Sequence, residues 1–171
     1  MTGMESLDDR DSQAGRETQM DVEAQGLLTE LSSVHKKAKA AVEKLGEAGI
    51  NWRPPAADTN TVAVIVTHMC GSEAQWVVEY SGGTPSGRNR DSEFASPQKT
   101  VKGLVTLLDK AEASSQAALA KHTSASLSKP AITGRADFKG TVRDCVLHAL
   151  AHESEHVGHL ELTLQLWLAK K

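Results

Sequence analysis

The sequence predicts an all-α protein built as a four-helix bundle. Apolar residues recur at three- and four-residue spacing through four long segments, which is the period of an amphipathic helix. Glycine- and proline-containing stretches separate these segments, and no stretch alternates as a strand ladder would. A chain of 171 residues is long enough to bury a core of its own as one domain.

The first two helices are predicted on either side of a stiff connection. Apolar spacing places helix one over Val22–Leu45, and Gly46 and Gly49 end it. The segment 52–55 (WRPP) is extended because each proline restricts both itself and the residue before it. Helix two runs over Asn60–Tyr80, with the asparagine as its N-cap.

The third and fourth helices follow longer loops. Ser96-Pro97 forms a cap and a first-turn proline for helix three, which extends to Leu119. After a polar loop over 122–140, Thr141 and Asp144 resemble a capping box and open helix four, which runs nearly to the C-terminus. Loops of this length do not require simple up-down-up-down order. Residues 1–20 are polar and are predicted to be a disordered tail before a bundle domain over 21–171.

Composition excludes several classes of partner. The net charge is -3 and the pI is near 6.2, so there is no basic footprint for nucleic acid or an anionic membrane. No run of 18 apolar residues suggests a membrane span. Two cysteines do not form a disulfide framework. The sequence therefore predicts a cytoplasmic protein that binds neither nucleic acid nor membrane.

Histidines supply the candidate chemistry. Four of the seven histidines fall within residues 148–159 of helix four. His152 and His156 lie one helical turn apart beside the buried stripe, with Cβ atoms about 5–6 Å apart. Both rings can therefore reach one divalent ion at about 2.0–2.1 Å. His68, at the edge of the apolar stripe of helix two, is the natural third ligand. The alternative is a bundle whose histidines are partly buried and hydrogen-bonded without metal.

The position of each other polar candidate residue predicts whether its side chain is buried or exposed. Glu73 falls inside the apolar stripe of helix two, where a carboxylate must be paired, ligated or protonated. Near a metal it would orient an imidazole or act as a general base; otherwise it would pair with Arg or Lys on a neighbouring helix. His35 and His122 are predicted at the surface. Arg88 and Arg90 are predicted in a solvated loop, with binding of an anionic group as the alternative.

Three short motifs resemble the DinB/YfiT-like superfamily over about residues 22–170. They are the turn at Trp52-Arg53-Pro54, the segment 67–76 (THMCGSEAQW), and the terminal run 152–159 (HESEHVGH). The resemblance implies a bundle of up-down-down-up topology, often dimeric, with three histidines holding nickel or zinc. Carried onto this chain, the ligands are His68, His152 and His156. His159 departs from the pattern, which often has Gln there, and would be a fourth ligand, a proton carrier or a solvent-facing group.

The resemblance also implies a class of reaction. It favours a metal-dependent hydrolase or a transferase that uses a low-molecular-weight thiol, such as mycothiol or bacillithiol, as cosubstrate. His68, His152 and His156 would hold Zn or Ni, and Glu73, Glu155 or His159 would handle protons. A homodimer is expected. The alternative is a non-catalytic protein, either a stress-related small-molecule binder or a helical interaction module, with a structural metal or none.

Overall fold

The computed structural model describes residues 19–95 and 99–170 of the chain. The described residues form four long helices, two short ones and connecting loops, which confirms the all-α bundle. One long helix, α2, continues directly into a π-helix of eight residues. The elements in chain order are α1 (Val22–Ile50), α2 (Val62–Glu73), its π-helical continuation (Ala74–Ser81), α3 (Arg90–Phe94), α4 (Val101–Leu119), α5 (Ser124–Leu127) and α6 (Val142–Ala169).

Helices α1 and α6 run parallel. Glu23 at the start of α1 pairs with Arg143 at the start of α6. At the opposite end, Trp52 just beyond α1 packs against Trp167 in the last turn of α6, with ring centroids 5.6 Å apart. Matching ends of the two helices therefore meet, although four other helices separate them in the sequence.

Helices α2 and α4 run in the opposite direction. Ser81, which ends the π-helix, contacts the carbonyl of Val142 at the start of α6. Val101, which begins α4, donates its backbone N–H to Glu47 near the end of α1. Helix α2 and its π-helical continuation pack against α4 and α6, and α4 packs against α1; among the described residues no close backbone contact joins α4 to α6. The order is therefore up-down-down-up, as expected.

The helix ends differ from the predicted ones in detail. Gly46 breaks the helical dihedrals, with φ 66° and ψ -179°, but helical hydrogen bonding resumes and α1 reaches Ile50. The positive φ is why a glycine occupies this position. Thr61 rather than Asn60 caps α2. Thr100 caps α4, and the predicted start at Ser96-Pro97 lies outside the described residues.

The start of α6 matches the prediction. The Thr141 side chain accepts the backbone N–H of Asp144, and the Asp144 carboxylate accepts the backbone N–H of Thr141. Aspartate therefore replaces the usual glutamate of a capping box. The two short helices α3 and α5 were not predicted, because four or five residues carry too little periodicity to be recognised.

Apolar side chains from all four long helices fill the core. One cluster lies towards the end of α1 and includes Ile50, Leu108 and Leu160, and another lies near its start and includes Leu31 and Trp76. No helix in the described part of the chain is long and apolar enough to cross a membrane. Residues 1–18 of the predicted tail lie outside the described residues, and the neighbouring Met20 packs against the core.

Candidate metal centre

Three histidines meet where α2 and α6 pack antiparallel. His68 lies in the second turn of α2, and His152 and His156 occupy consecutive turns of α6. The Nε2 atom of His152 lies 3.1 Å from Nε2 of His68 and 3.2 Å from Nε2 of His156. One ring nitrogen from each histidine lies within 4.8 Å of the other two. The fold thus brings together the three residues that the sequence proposed as ligands.

The spacing of the nitrogens fits a shared cation. Two nitrogens bound at about 2.0–2.1 Å to one tetrahedral ion lie roughly 3.3 Å apart. The two Nε2 separations of 3.1 and 3.2 Å are close to that value. The centre also contains an unpaired atom, because Nδ1 of His152 is buried without a hydrogen-bond partner. Little rearrangement of the three rings is therefore required for them to bind one ion.

A buried carboxylate orients His68. Nδ1 of His68 lies 2.8 Å from Oε2 of Glu93, which is only 5% exposed. The Nδ1–H group donates to the carboxylate, so the lone pair of Nε2 is directed towards the other two histidines. A carboxylate that accepts from the remote nitrogen of a metal-binding histidine is a common arrangement that fixes the ring and raises its basicity.

Arg88 holds Glu93 in place. Its Nε donates to Oε1 of Glu93 at 2.7 Å, and one terminal nitrogen donates to Oε2 at 3.0 Å. The other terminal nitrogen donates to Gln75 on the π-helix at 2.8 Å. Burial raises the pKa of Glu93, but the hydrogen bonds from Arg88 and His68 outweigh it and leave the pKa below its ordinary value. Glu93 is therefore a carboxylate at neutral pH.

The two histidines of α6 are neutral at physiological pH. Burial, and then repulsion from neighbouring imidazolium groups, lowers the pKa of His152 to about 4. The same causes lower the pKa of His156 to about 4. Neutral imidazoles offer lone pairs to a cation, whereas imidazolium ions cannot. The protonation state of these two histidines is therefore the one that metal binding requires.

An open cleft of about 410 Å³ lies beside His156, one of the three histidines. His156 and His159 line one side, and Ile65, Leu162 and Leu166 supply apolar walls. Residues of the loop that precedes α2, such as Asp58, supply polar groups. The cleft combines apolar walls with polar groups and a candidate cation site, which is typical of small-molecule sites.

The residues predicted to handle protons occupy different environments. His159 is exposed in the cleft, with Nδ1 3.2 Å from Nδ1 of His156. Glu155 is exposed on α6 next to His156 and favours protonation of that imidazole. Glu73 is 1% exposed and its hydrogen bonds are directed into the core, to His35 at 2.8 Å and to Ser115 at 2.5 Å.

Three surface predictions were wrong. His35 is 1% exposed, because its ring turns into the bundle to pair with Glu73. His122 is half-buried at the end of α4, where its Nδ1 contacts Ser126. Arg88 is withdrawn from solvent by its pairing with Glu93, whereas Arg90 is exposed.

Sequence reasoning missed Glu93 and Glu153, and it named Arg88 without identifying Glu93 as its partner. Glu93 and Arg88 lie on or before a five-residue helix that has no detectable period. One usable signal was Gly71, an interior glycine three residues after His68 on α2. A Cβ there would lie 2.2 Å from Oε1 of Glu93, so only glycine lets this carboxylate approach the helix.

Comparisons with known proteins agree with this fold. One solved structure, a DinB-like protein (YjoA) from Bacillus subtilis, superimposes with a TM-score of 0.61 at 20% identity, over 82% of this chain and 90% of that one. Another, a conserved protein from Enterococcus faecalis, gives a TM-score of 0.66 at 16% identity, over 88% of this chain and 99% of that one. No curated protein matches the sequence.

Family membership rests on the sequence itself. The profile of a family described as "Protein of unknown function (DUF1572)" matches residues 24–170, which include all six helices except the first two residues of α1. Both candidate ligand segments, on α2 and on α6, lie inside the matched region. The chain therefore belongs to the DUF1572 family, and its fold is similar to that of the DinB-like protein YjoA.

Proposed function

We propose that this protein is a divalent-metal-dependent enzyme that acts on a small molecule in the cleft between α2, α6 and the loop before α2. The reaction is either hydrolysis or transfer of a low-molecular-weight thiol such as mycothiol or bacillithiol. The observation that carries the proposal is the convergence of His68, His152 and His156 beside an open cleft, with Glu93 orienting His68.

The donor set favours a borderline cation. Three neutral imidazoles suit Zn²⁺ or Ni²⁺ better than the hard cations Mg²⁺ and Ca²⁺, which prefer oxygen ligands. When bound, such an ion supplies a Lewis acid that lowers the pKa of a water or thiol in its open position. Three protein nitrogens leave that fourth position free for substrate.

Residues around the three histidines are assigned two roles, orientation of a ligand and transfer of protons. Glu93 keeps the Nδ1 proton of His68 in place, so that Nε2 stays available as a donor. His159 is assigned the movement of protons between the cleft and solvent, because it is exposed and lines the cleft. Glu155 is a second candidate for this role. The core-directed Glu73 is better placed to support structure than to reach substrate.

Metal content tests the proposal directly. Untagged protein would be purified without added metal, and its bound ions measured by elemental analysis beside His68→Ala and His156→Ala variants. His122→Ala, at the end of α4, is the control. We expect about one Zn or Ni ion per chain at this centre in wild type and in the control. Both site variants should lose this ion and keep their helical circular dichroism. A metal content in both site variants equal to that of wild type would contradict the site.

Turnover requires a separate assay. Metal-loaded protein would be tested for hydrolysis of 4-nitrophenyl acetate and for conjugation of a thiol to 1-chloro-2,4-dinitrobenzene. Activity that His68→Ala abolishes and His159→Gln reduces at unchanged metal content would support the enzyme. Metal at the histidines with no turnover of any thiol or ester substrate would favour the non-catalytic binding protein.

We further propose that the protein is a homodimer. The family resemblance supports this, as do large apolar side chains left exposed on α6, namely Leu147, Leu162, Leu166 and Leu168. Exposed apolar surface of this kind is frequent at protein interfaces. Light scattering coupled to size-exclusion chromatography would give a mass near twice 18.3 kDa for a dimer, and a mass near 18.3 kDa would refute it.

A further inference from the structure

A second group of polar side chains meets in the centre of the bundle. Each of the four long segments contributes one residue, namely His35 from α1, Glu73 from α2, Ser115 from α4 and Glu153 from α6. All four are at most 1% exposed. This group, called here the core cluster, is separate from the three histidines of the candidate metal centre.

The core cluster carries an excess of acceptors. Nε2 of His35 lies 2.8 Å from Oε2 of Glu73 and 3.3 Å from Oε2 of Glu153, so one imidazole faces two carboxylates. Both oxygens of Glu153 are buried without a hydrogen-bond partner. A carboxylate in a dry core is costly unless a positive charge or a donor compensates it. His35 supplies at most one positive charge, so two ionised carboxylates leave the cluster with a net negative charge.

We propose that the core cluster is a second divalent-cation site, with His35, Glu73 and Glu153 as ligands. One imidazole and two carboxylates suit first-row cations such as Mn²⁺ or Zn²⁺. A divalent ion would balance two carboxylate charges and occupy the free oxygens of Glu153. Inward-facing glutamates and histidines on facing helices are also how other four-helix bundles build metal sites.

The distances are compatible with a shared ion. A nitrogen and an oxygen bound to one ion at about 2.0–2.2 Å lie roughly 2.9–3.4 Å apart. The observed separations from Nε2 of His35, 2.8 and 3.3 Å, therefore need to change by only a few tenths of an ångström. Ser115 donates to the remaining oxygen of Glu73 and holds that carboxylate in position. Hydrogen bonds thus fix the orientation of Glu73, and both oxygens of Glu153 remain free for an ion.

The surroundings of Nδ1 of His35 also suit a histidine that binds a metal through Nε2. Its Nδ1 has no hydrogen-bond partner and lies 3.9 Å from Oε2 of Glu112 on α4, which Lys39 holds at 2.9 Å. A small movement would let Nδ1–H donate to Glu112 when Nε2 binds the ion, as metal-bound histidines commonly do. Glu112 and Lys39 line a surface groove of about 480 Å³.

The test counts ions at each site separately. Protein stripped with chelator and reloaded with Zn²⁺ would be desalted and analysed for metal, as wild type, as a His68→Ala/His156→Ala double variant, and as Glu153→Gln. We expect two ions in wild type, one in the double variant and one in Glu153→Gln. Ser114→Ala, next to the cluster on α4 but outside it, is the control and should retain two.

The outcomes separate this inference from the proposed function. One ion in wild type and none in the double variant would overturn the second site and leave the three-histidine site intact, with the core cluster a buried ion pair only. One ion in both wild type and the double variant would support the core cluster and contradict the histidine centre. If Glu153→Gln does not fold, the double variant decides alone, because its core cluster is unchanged. Reloading with Mn²⁺ and recording its electron paramagnetic resonance would distinguish ions held by carboxylates from ions held by three imidazoles.

Discussion

The hydrogen bond between Glu93 and His68 gives the sharpest prediction, tested by Glu93→Gln. Glutamine keeps the shape and can still accept from Nδ1–H of His68, but it removes the negative charge. A hydrogen bond to a charged group contributes about 1.5–3 kcal/mol, and a neutral one about 0.5–1.5 kcal/mol. The loss at His68 is therefore about 1–2 kcal/mol, which corresponds to metal binding weaker by roughly 5- to 30-fold.

The measurement is a competition for Zn²⁺ against a chromophoric chelator, with Ser92→Ala on the same short helix as control. Ser92 is exposed and makes no contact with the histidines. Glu93→Gln also leaves Arg88 without its carboxylate, so the free energy of unfolding of the metal-free protein should fall by about 1–3 kcal/mol. Unchanged zinc affinity in Glu93→Gln, with that loss of stability observed, would refute the role of Glu93 in orienting His68.

Three further predictions concern the glycine facing Glu93, the N-cap of α6 and the buried thiol of Cys145. Gly71→Ala should displace the Glu93 carboxylate, because the new Cβ would lie 2.2 Å from Oε1, and it should weaken zinc binding as Glu93→Gln does. In Gly26→Ala on α1 the new Cβ meets nothing within 4 Å. That variant should instead raise the free energy of unfolding by up to about 1 kcal/mol. Thr141→Ala removes the cap of α6 and should lower the free energy of unfolding in urea by about 0.5–2 kcal/mol, with a smaller loss for Thr141→Ser. Burial raises the pKa of Cys145 to about 11 from an ordinary value near 9, so between pH 8 and 9 its thiolate fraction is lower in the folded chain than in the unfolded one. At pH 8.5 a thiol reagent should label this cysteine slowly in native protein and rapidly in urea, and equal rates would contradict the buried position.

Helix periodicity was the basis for much of what the sequence predicted about the fold. The three- and four-residue spacing of apolar side chains located all four long helices, and the capping pair Thr141 and Asp144 located the start of α6 to the residue. The same period placed His152 and His156 on one face, because residues four apart in a helix are always neighbours. These features depend on local geometry, which the sequence specifies directly.

The partners of the buried polar groups could not be predicted in this way. His35 and Glu73 are 38 residues apart, and His68 and Glu93 are 25 apart, so no helical period relates them. Glu73 was recognised as unusual on an apolar stripe, but whether its partner was a metal, a lysine or a histidine depended on which helix packed against it. The up-down-down-up order settles this, since it sets α1 diagonally across the bundle from α2, with both facing the centre.

The sequence by itself therefore determined the helices, their buried faces and the pairing of His152 with His156, because each depends on residues within one or two turns. Only the tertiary structure decided that His68 lies beside that pair and that Glu93, held by Arg88, accepts a hydrogen bond from it. The tertiary structure also decided that His35, Glu73 and Glu153 meet in the core. Those contacts join helices whose relative direction and order come from packing the whole bundle. Packing depends on the sum of many apolar contacts and not on any single local pattern.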